Sequence, residues 1–220
     1  MTFFANFKRS AEELKNIRCI AVMAVLIALD LVLKSFLNIQ VTDSLKISFA
    51  FVAVAALGMF YGPVAAGLAC VVTDIVGYLL KPSGTFNPLF TLVEVTGGII
   101  YGCFLYGFSP IKPDFKSPKT FAKSVFDNWG SVLRIVLAKI MVAAVCNLFM
   151  TPLFITIQKA MEAGSFNAEV FRTGFFTRVG TRVVKNAIEI PIHILILILA
   201  LFPINAAYNA VFRRQKKNAG

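Results

Sequence analysis

A chain of 220 residues in which 58% are hydrophobic and only 15% charged, with a mean hydropathy of +0.77, carries more apolar surface than a soluble domain can solvate; it reads as a small membrane-embedded helical bundle. Lys and Arg outnumber Asp and Glu 22 to 11. No aromatic-interleaved basic patch or base-reading motif accompanies that excess, which argues against nucleic acid as a partner and for the lipid bilayer.

Crossing the hydrocarbon takes roughly 20 mostly apolar residues in a helix. Five or six segments qualify, at about 18–38, 46–60, 62–80, 88–108, 131–157 and 178–206, the second of them short. Lys8, Arg9, Lys15 and Arg18 stand before or at the start of the first. This basic-then-apolar order resembles a signal peptide, but Ile17 to Leu37 is too long and meets no small-residue cleavage site, so an uncleaved first span is expected. It holds Ala24 and Ala28 at a small-xxx-small spacing, and Asp30 with Lys34 at i, i+4, an opposite-charge spacing that can pair within one helix. Only Gly58 to Pro63 separates the second and third segments. The third carries Asp74, Tyr78 and Lys81 at i, i+4, i+7, and the fourth meets Glu94 early and holds Gly98 and Gly102. Lys112, Lys116, Lys119 and Lys123 fill a basic loop at about 110–130, followed by a fifth segment with Arg134, Lys139 and Asn147. In the sixth, Arg178, Arg182, Lys185 and Glu189 recur at steps of four, three and four, a narrow stripe at about 100° per residue. Asn186 borders the stripe and His193 lies one turn beyond it; a lone His reads more simply as a hydrogen-bonded packing residue than as a ligand. A basic tail with Arg213, Arg214, Lys216 and Lys217 closes the chain.

The basic stretch at the start, the basic loop and the basic tail fall on one side of the membrane only if six spans are crossed. Positive loops stay cytoplasmic, so both termini are expected inside, with 1–220 forming a single membrane domain. This threading puts Asp30, Lys34, Asp74, Lys81, Glu94 and the Arg178–Glu189 stripe toward the outer half. Such groups are costly in lipid, so a polar pocket opening outward is implied. Asp74 and Glu94 have no obvious partner at i, i+3 or i, i+4 in their own helices and so point to ligand or inter-helix contacts. Cys19, Cys70, Cys103 and Cys146 stand singly, with no CxxC spacing, and read as buried free thiols rather than metal ligands. No GxxxxGK[ST], dinucleotide turn or HExxH is present, and no nucleophile–base set. The chain is therefore expected not to be an enzyme, to need no cofactor or metal, and to draw any ATP energy from partners.

Lys46-Ile-Ser-Phe-Ala-Phe with Tyr61-Gly-Pro, Asp74-Ile-Val-Gly-Tyr, and Pro82-Ser-Gly-Thr-Phe-Asn-Pro-Leu-Phe-Thr91 resemble the folate-family substrate-binding S component of energy-coupling factor (ECF) vitamin transporters. Arg134-Ile-Val-Leu-Ala-Lys139 and Arg182-Val-Val-Lys-Asn186 followed by Pro191-Ile are similar to the same family, and the resemblance covers roughly residues 18–200. It implies an all-α bundle of six transmembrane helices in the bacterial cytoplasmic membrane, with an outward-facing vitamin site. It also implies a membrane coupling subunit and two ATPase subunits as partners, the coupling subunit docking on the Ala24-xxx-Ala28 face.

The chemistry of folate can be matched to the sequence group by group. Its glutamate carboxylates suit Arg and Lys, and Arg178, Arg182 and Lys185 offer such cations. The amino-pyrimidinone edge of its pterin presents a donor pair that a carboxylate can accept, with Asp74 the first candidate and Glu94 the second. Asn147 and Asn186 can donate and accept, while Tyr78, Phe86 and Phe90 can stack on the flat ring. Pro82, Ser83, Gly84 and Phe86 are expected to form the outer gate. Pantothenate, less readily the cationic thiamine, and a non-transport membrane scaffold remain alternatives.

Overall fold

The computed structural model describes residues 3–36, 38–42, 45–82, 86–107, 127–162 and 168–217. Ser83 and Gly84 of the expected gate, and the basic-loop residues Lys112, Lys116, Lys119 and Lys123, lie outside the described residues. Six helices follow in order: α1 (Phe3–Glu13), α2 (Ile17–Phe36), α3 (Phe51–Leu80), α4 (Pro88–Leu105), α5 (Trp129–Glu162) and α6 (Ala168–Lys217). Between α2 and α3 runs a short antiparallel hairpin, β1 (Asn38–Thr42) with β2 (Leu45–Ser48), pairing Asn38 with Ser48 and Ile39 with Ile47.

Helices α3 to α6 are each long and apolar enough to cross a membrane; α2 joined with α1, from which it is bent by 89°, makes a fifth candidate. A further apolar arm is concealed inside α3. Gly62 has φ 82°, a left-handed value that costs glycine nothing, and Pro63 then opens a new helical arm where a missing N–H does no harm. The chain turns back on itself there. Gly58 lies against Tyr101 and Gly102 of α4, after which Gly62 and Pro63 meet Gly102, Ala66 meets Gly98, and Asp74 meets Thr91. Residues 63–80 thus run antiparallel to α4, while residues 51–61 return alongside it.

The expected second span is corrected at its start. Residues 45–48 are strand and helix begins only at Phe51, so the arm 51–61 rises about 16 Å, half the depth of the hydrocarbon. The β-branched and alternating sequence Leu45-Lys-Ile-Ser48 explains the change, since one-residue alternation suits a pleated strand better than a helix.

Small residues weld α3 to α4. A Cβ added at Gly58 would stand 2.7 Å from the Gly102 backbone nitrogen, and one at Gly98 would stand 2.8 Å from the Cys70 sulfur. Small-xxx-small spacing in both helices therefore serves close approach inside the bundle. The apolar core continues through Leu57, Leu105, Ile135, Leu197 and Leu201, all essentially inaccessible.

Helix α1 braces the turn at Gly62 from outside. Ser10 is fully buried; its hydroxyl donates to the Tyr61 carbonyl and accepts from the backbone N–H groups of Val64 at 3.0 Å and Ala65 at 3.4 Å. It supplies the N-terminal cap that the arm 63–80 lacks from its own sequence. Beside it, the Arg9 guanidinium lies 5.4 Å from the centre of the Tyr106 ring.

Candidate functional site

The charges singled out by the sequence converge on a cavity of ≈ 260 Å³ enclosed by α2, α3, α4, α5 and α6. Its first wall comes from α2 and α4. Asp30 is 1% exposed, and Lys34 reaches its carboxylate at 3.0 Å and that of Glu94 at 3.4 Å. The i, i+4 pairing expected for Asp30 and Lys34 is thus present, and it extends to a second carboxylate on the neighbouring helix. Two acids share one ammonium, and Glu94 remains 44% exposed.

The opposite wall comes from α5 and α6, and it is richer in cations. Arg182, Lys185, Asn186, Glu189 and His193 project from α6, as the four–three–four stripe requires, and Lys139 and Asn147 project from α5. Lys185 pairs with Glu189 at 3.5 Å. Asn147 donates to the Asn186 side-chain oxygen at 2.9 Å, and Asn186 donates to the Arg182 carbonyl at 2.8 Å, a chain that ties α5 to the stripe. Asn147 sits in a widened π-helical stretch, Ala143–Met150. Pro152, two residues past that stretch and fully buried, has no N–H to return to the preceding turn, and the ladder widens ahead of it.

The floor is formed by Phe51, at the start of the arm 51–61, with Lys139 and His193. The Lys139 ammonium is 5.1 Å from the centre of the Phe51 ring, and the His193 ring lies 4.3 Å from it, tilted by 39°. Gly97, Gly98 and Tyr101 of α4 complete the lining. With Asp30, Glu94 and Glu189 set against Lys34, Lys139, Arg182 and Lys185, the lining has one excess positive charge; both walls carry both signs, but acids outnumber cations on the α2–α4 wall and cations outnumber acids on the α5–α6 wall. A ligand with hydrogen-bond donors on one edge and acceptors or carboxylates on the other matches that field.

The sequence-selected residues do not all share this cavity. Glu94, Asn147, Arg182, Lys185 and Asn186 line it. Asp74, Tyr78, Phe86 and Phe90 line a second cavity of ≈ 470 Å³ between α2, α3 and α4, with Lys81 and Gln158 at its rim. There Asp74 accepts from the Thr91 hydroxyl, the inter-helix contact its lack of a partner pointed to, and the Tyr78 and Phe86 rings lie 5.2 Å apart. Pro82 is exposed just past α3. Lys34 borders both cavities and is the partition between them. Arg178 belongs to neither: it turns back to donate to the Gly174 carbonyl at 2.8 Å and the Thr156 hydroxyl at 3.2 Å. Ala24 and Ala28 are exposed on the outer face of α2.

Sequence reasoning gave no ligand role to Phe51, Tyr101, Lys139, Glu189 or His193, all of which line the cavity. For Lys139 and His193 the signal was present, as polar groups deep in apolar segments. For Phe51 and Tyr101 no local pattern separates a lining aromatic from a core one.

Comparison with known proteins places these features in a family. The model of the substrate-specific component of ECF transporters matches residues 18–201. The folate transporter FolT of Clostridium novyi is 31% identical over 184 residues, 84% of this chain and 88% of the relative. FolT of Streptococcus mutans is 26% identical over 202 residues, 92% of this chain and 91% of its own. A crystal structure of FolT bound with folic acid superposes with a TM-score of 0.60 at 30% identity, covering 83% of this chain and 91% of that one.

Proposed function

Because this chain belongs to the substrate-specific components of ECF transporters, multi-pass membrane subunits that bind substrate and are not enzymes, we propose that it binds folate in the cavity between α2, α4, α5 and α6. The observation that carries this reading is the uneven distribution of charge in that cavity, with acids in excess on the α2–α4 wall and cations in excess on the α5–α6 wall. Glu94 stands on one wall, Arg182 and Lys185 on the other, in a chain similar over most of its length to proteins named folate transporters.

At ≈ 260 Å³ the enclosed space is below the roughly 300–1,000 Å³ of pockets that take whole drug-sized ligands, so it suits a ring system with the remainder of the vitamin extending out. The glutamate carboxylates then meet Arg182 and Lys185, where charged forks give short, directional hydrogen bonds. Asn147 and Asn186, already hydrogen-bonded to each other, tie α5 to the helix that carries those cations. Asp74, Tyr78 and Phe90 act from the second cavity, on the path past Lys34, and Phe86 and Pro82 mark its outer rim.

Orientation follows from the basic segments. An even number of crossings with both termini in the cytoplasm opens the cavity outward. A membrane coupling subunit docks on the exposed Ala24 and Ala28 face, and two ATPase subunits supply the energy this chain has no motif to generate. The reading is tested by titration calorimetry of the purified protein with folic acid, pantothenate and thiamine. Folic acid binding weakened about 10- to 150-fold by Arg182→Ala, the range for losing a charge-assisted hydrogen bond, is the expected result. Binding of pantothenate alone would keep the transporter and replace its vitamin.

A further inference from the structure

The start of α2 and the end of α6 lie at one level of the bundle, joined through Tyr61: its carbonyl accepts from Ser10 of α1, and its hydroxyl lies 3.3 Å from that of Tyr208 on α6. Among the described residues α2 and α6 hardly meet there, and a groove of ≈ 310 Å³ runs between them. Leu26, Phe60 and Tyr208 form its floor; Leu26 is buried, and the Phe60 ring stacks on Tyr208 with centroids 4.2 Å apart. Ala21 and Val25 stand on the α2 rim and Ala207 and Val211 on the α6 rim, all four exposed. No polar surface opens into the groove. It is a slot of hydrocarbon chemistry, and from Ile204 to Val211 it follows α6 for about 10 Å.

Each rim leads to an arginine. Arg18 precedes Ala21 by three residues and Val25 by seven; Arg214 follows Val211 by three and Ala207 by seven. At about 100° per residue both positions continue the face of their own rim, one turn beyond the same end of the groove. Arg18 is exposed, and among the described residues its guanidinium enters no ion pair. The segments 12–18 and 213–217 hold Lys15, Arg18, Arg213, Arg214, Lys216 and Lys217 against Glu12 and Glu13, so this end of the groove is strongly positive. We propose that the groove between α2 and α6 seats one phospholipid with an anionic headgroup, its acyl chain in the slot and its phosphate at the level of Arg18 and Arg214. An apolar slot supplies the burial that holds a chain, and cations at its mouth select the charge of the headgroup. A transmembrane helix of another subunit packs through close small-residue contacts instead, and the small-residue face of α2, Ala24 and Ala28, is centred about 110° around the helix from the groove. Lipid and coupling subunit therefore occupy different faces. In the orientation proposed above, the lipid belongs to the cytoplasmic leaflet. A chain lying on Phe60 and Tyr208 ties the end of α6 to the arm 51–61 just before the Gly62 reversal. The inference goes beyond the folate reading and does not depend on it.

The test is native mass spectrometry of the intact purified protein, titrated with phosphatidylglycerol or with phosphatidylcholine bearing the same acyl chains. Wild type is expected to retain one phosphatidylglycerol with an affinity about 30-fold above that for phosphatidylcholine, the combined effect of two arginines at a membrane surface. Arg18→Gln and Arg214→Gln should each reduce that preference to about 5-fold. Ala207→Trp, which plugs the slot from its exposed rim, should abolish retention of both lipids, whereas Leu195→Trp, an exposed apolar position on the opposite face of α6, should change nothing. Equal retention of the two lipids by wild type, a preference that survives both arginine substitutions, or full retention in Ala207→Trp overturns the site. An Ala207→Trp protein that keeps its lipid but no longer associates with a coupling subunit assigns the groove to protein and overturns it too. If Ala207→Trp fails to fold, Ala21→Phe plugs the slot from the other rim; if neither folds, the headgroup preference of wild type and its loss in the arginine variants decide. None of these readouts involves folic acid, so failure of the folate reading and failure of the lipid site are separately visible.

Discussion

Helix α4 presents two faces that follow opposite physical rules. Toward α3 it offers Gly98 and Gly102, and the two backbones touch with no side chain between them. A quarter-turn away, Glu94, Gly97 and Tyr101 border a cavity in which long charged side chains hold the helices apart. The welded face tolerates nothing larger than hydrogen, while the charged face owes its shape to groups that are costly to bury unless something answers them. A binding subunit needs both. The weld gives a rigid reference, and in the proposed reading the cavity holds polar groups for a ligand to meet.

The sharpest way to break this contrast is to put a side chain into the weld. Gly102→Leu drives a Cβ into the Pro63 backbone, where no rotamer relieves the clash. Destabilisation well above 4 kcal/mol is expected, read as loss of the monodisperse peak in detergent and of any measurable thermal midpoint. On the charged face, Asp30→Ala leaves Lys34 with Glu94 alone at 3.4 Å. The expected cost is about 3 kcal/mol, the low end for opening a buried pair, because one carboxylate remains. Chemical denaturation in mixed micelles measures it. The smallest effect belongs to the brace: Ser10→Ala should cost about 1–2 kcal/mol, the worth of a helix N-cap, with ligand affinity unchanged. A Ser10→Ala protein that lost affinity as well would show that the weld and the cavity are mechanically coupled.

The architecture was largely legible because hydropathy and small-residue spacing are properties of single segments. The break near Gly58 to Pro63, the pairs Asp30 with Lys34 and Lys185 with Glu189, and the stripe on α6 all follow from local periodicity. The hairpin at 38–48 was not legible, since a short apolar run beside a span reads equally well as more helix. Partition of the polar residues between two cavities was hidden for a different reason. Asp74 and Glu94 both lie in outer halves of their spans, but only the rotation of each helix about its axis decides which void a side chain enters. Rotation is set by packing against neighbours, here by glycines on α4 that face α3. Ser10 escaped notice for the same reason: nothing in α1 announces that its hydroxyl caps a helix 54 positions away.

The turn made by Gly62 has a consequence for parity. Any method that scores crossings by uninterrupted helix length counts α3 once, because the reversal consumes a single residue. The tally then differs by one from a count that takes the two arms separately, and the compartment assigned to every segment after residue 80, the basic tail included, flips with it. A fluorescent reporter fused to the C-terminus, which matures only on the cytoplasmic side, tests the count: with the N-terminus inside, light means an even number of crossings, and so a single glycine's left-handed φ decides on which side of the cell boundary the basic tail is drawn.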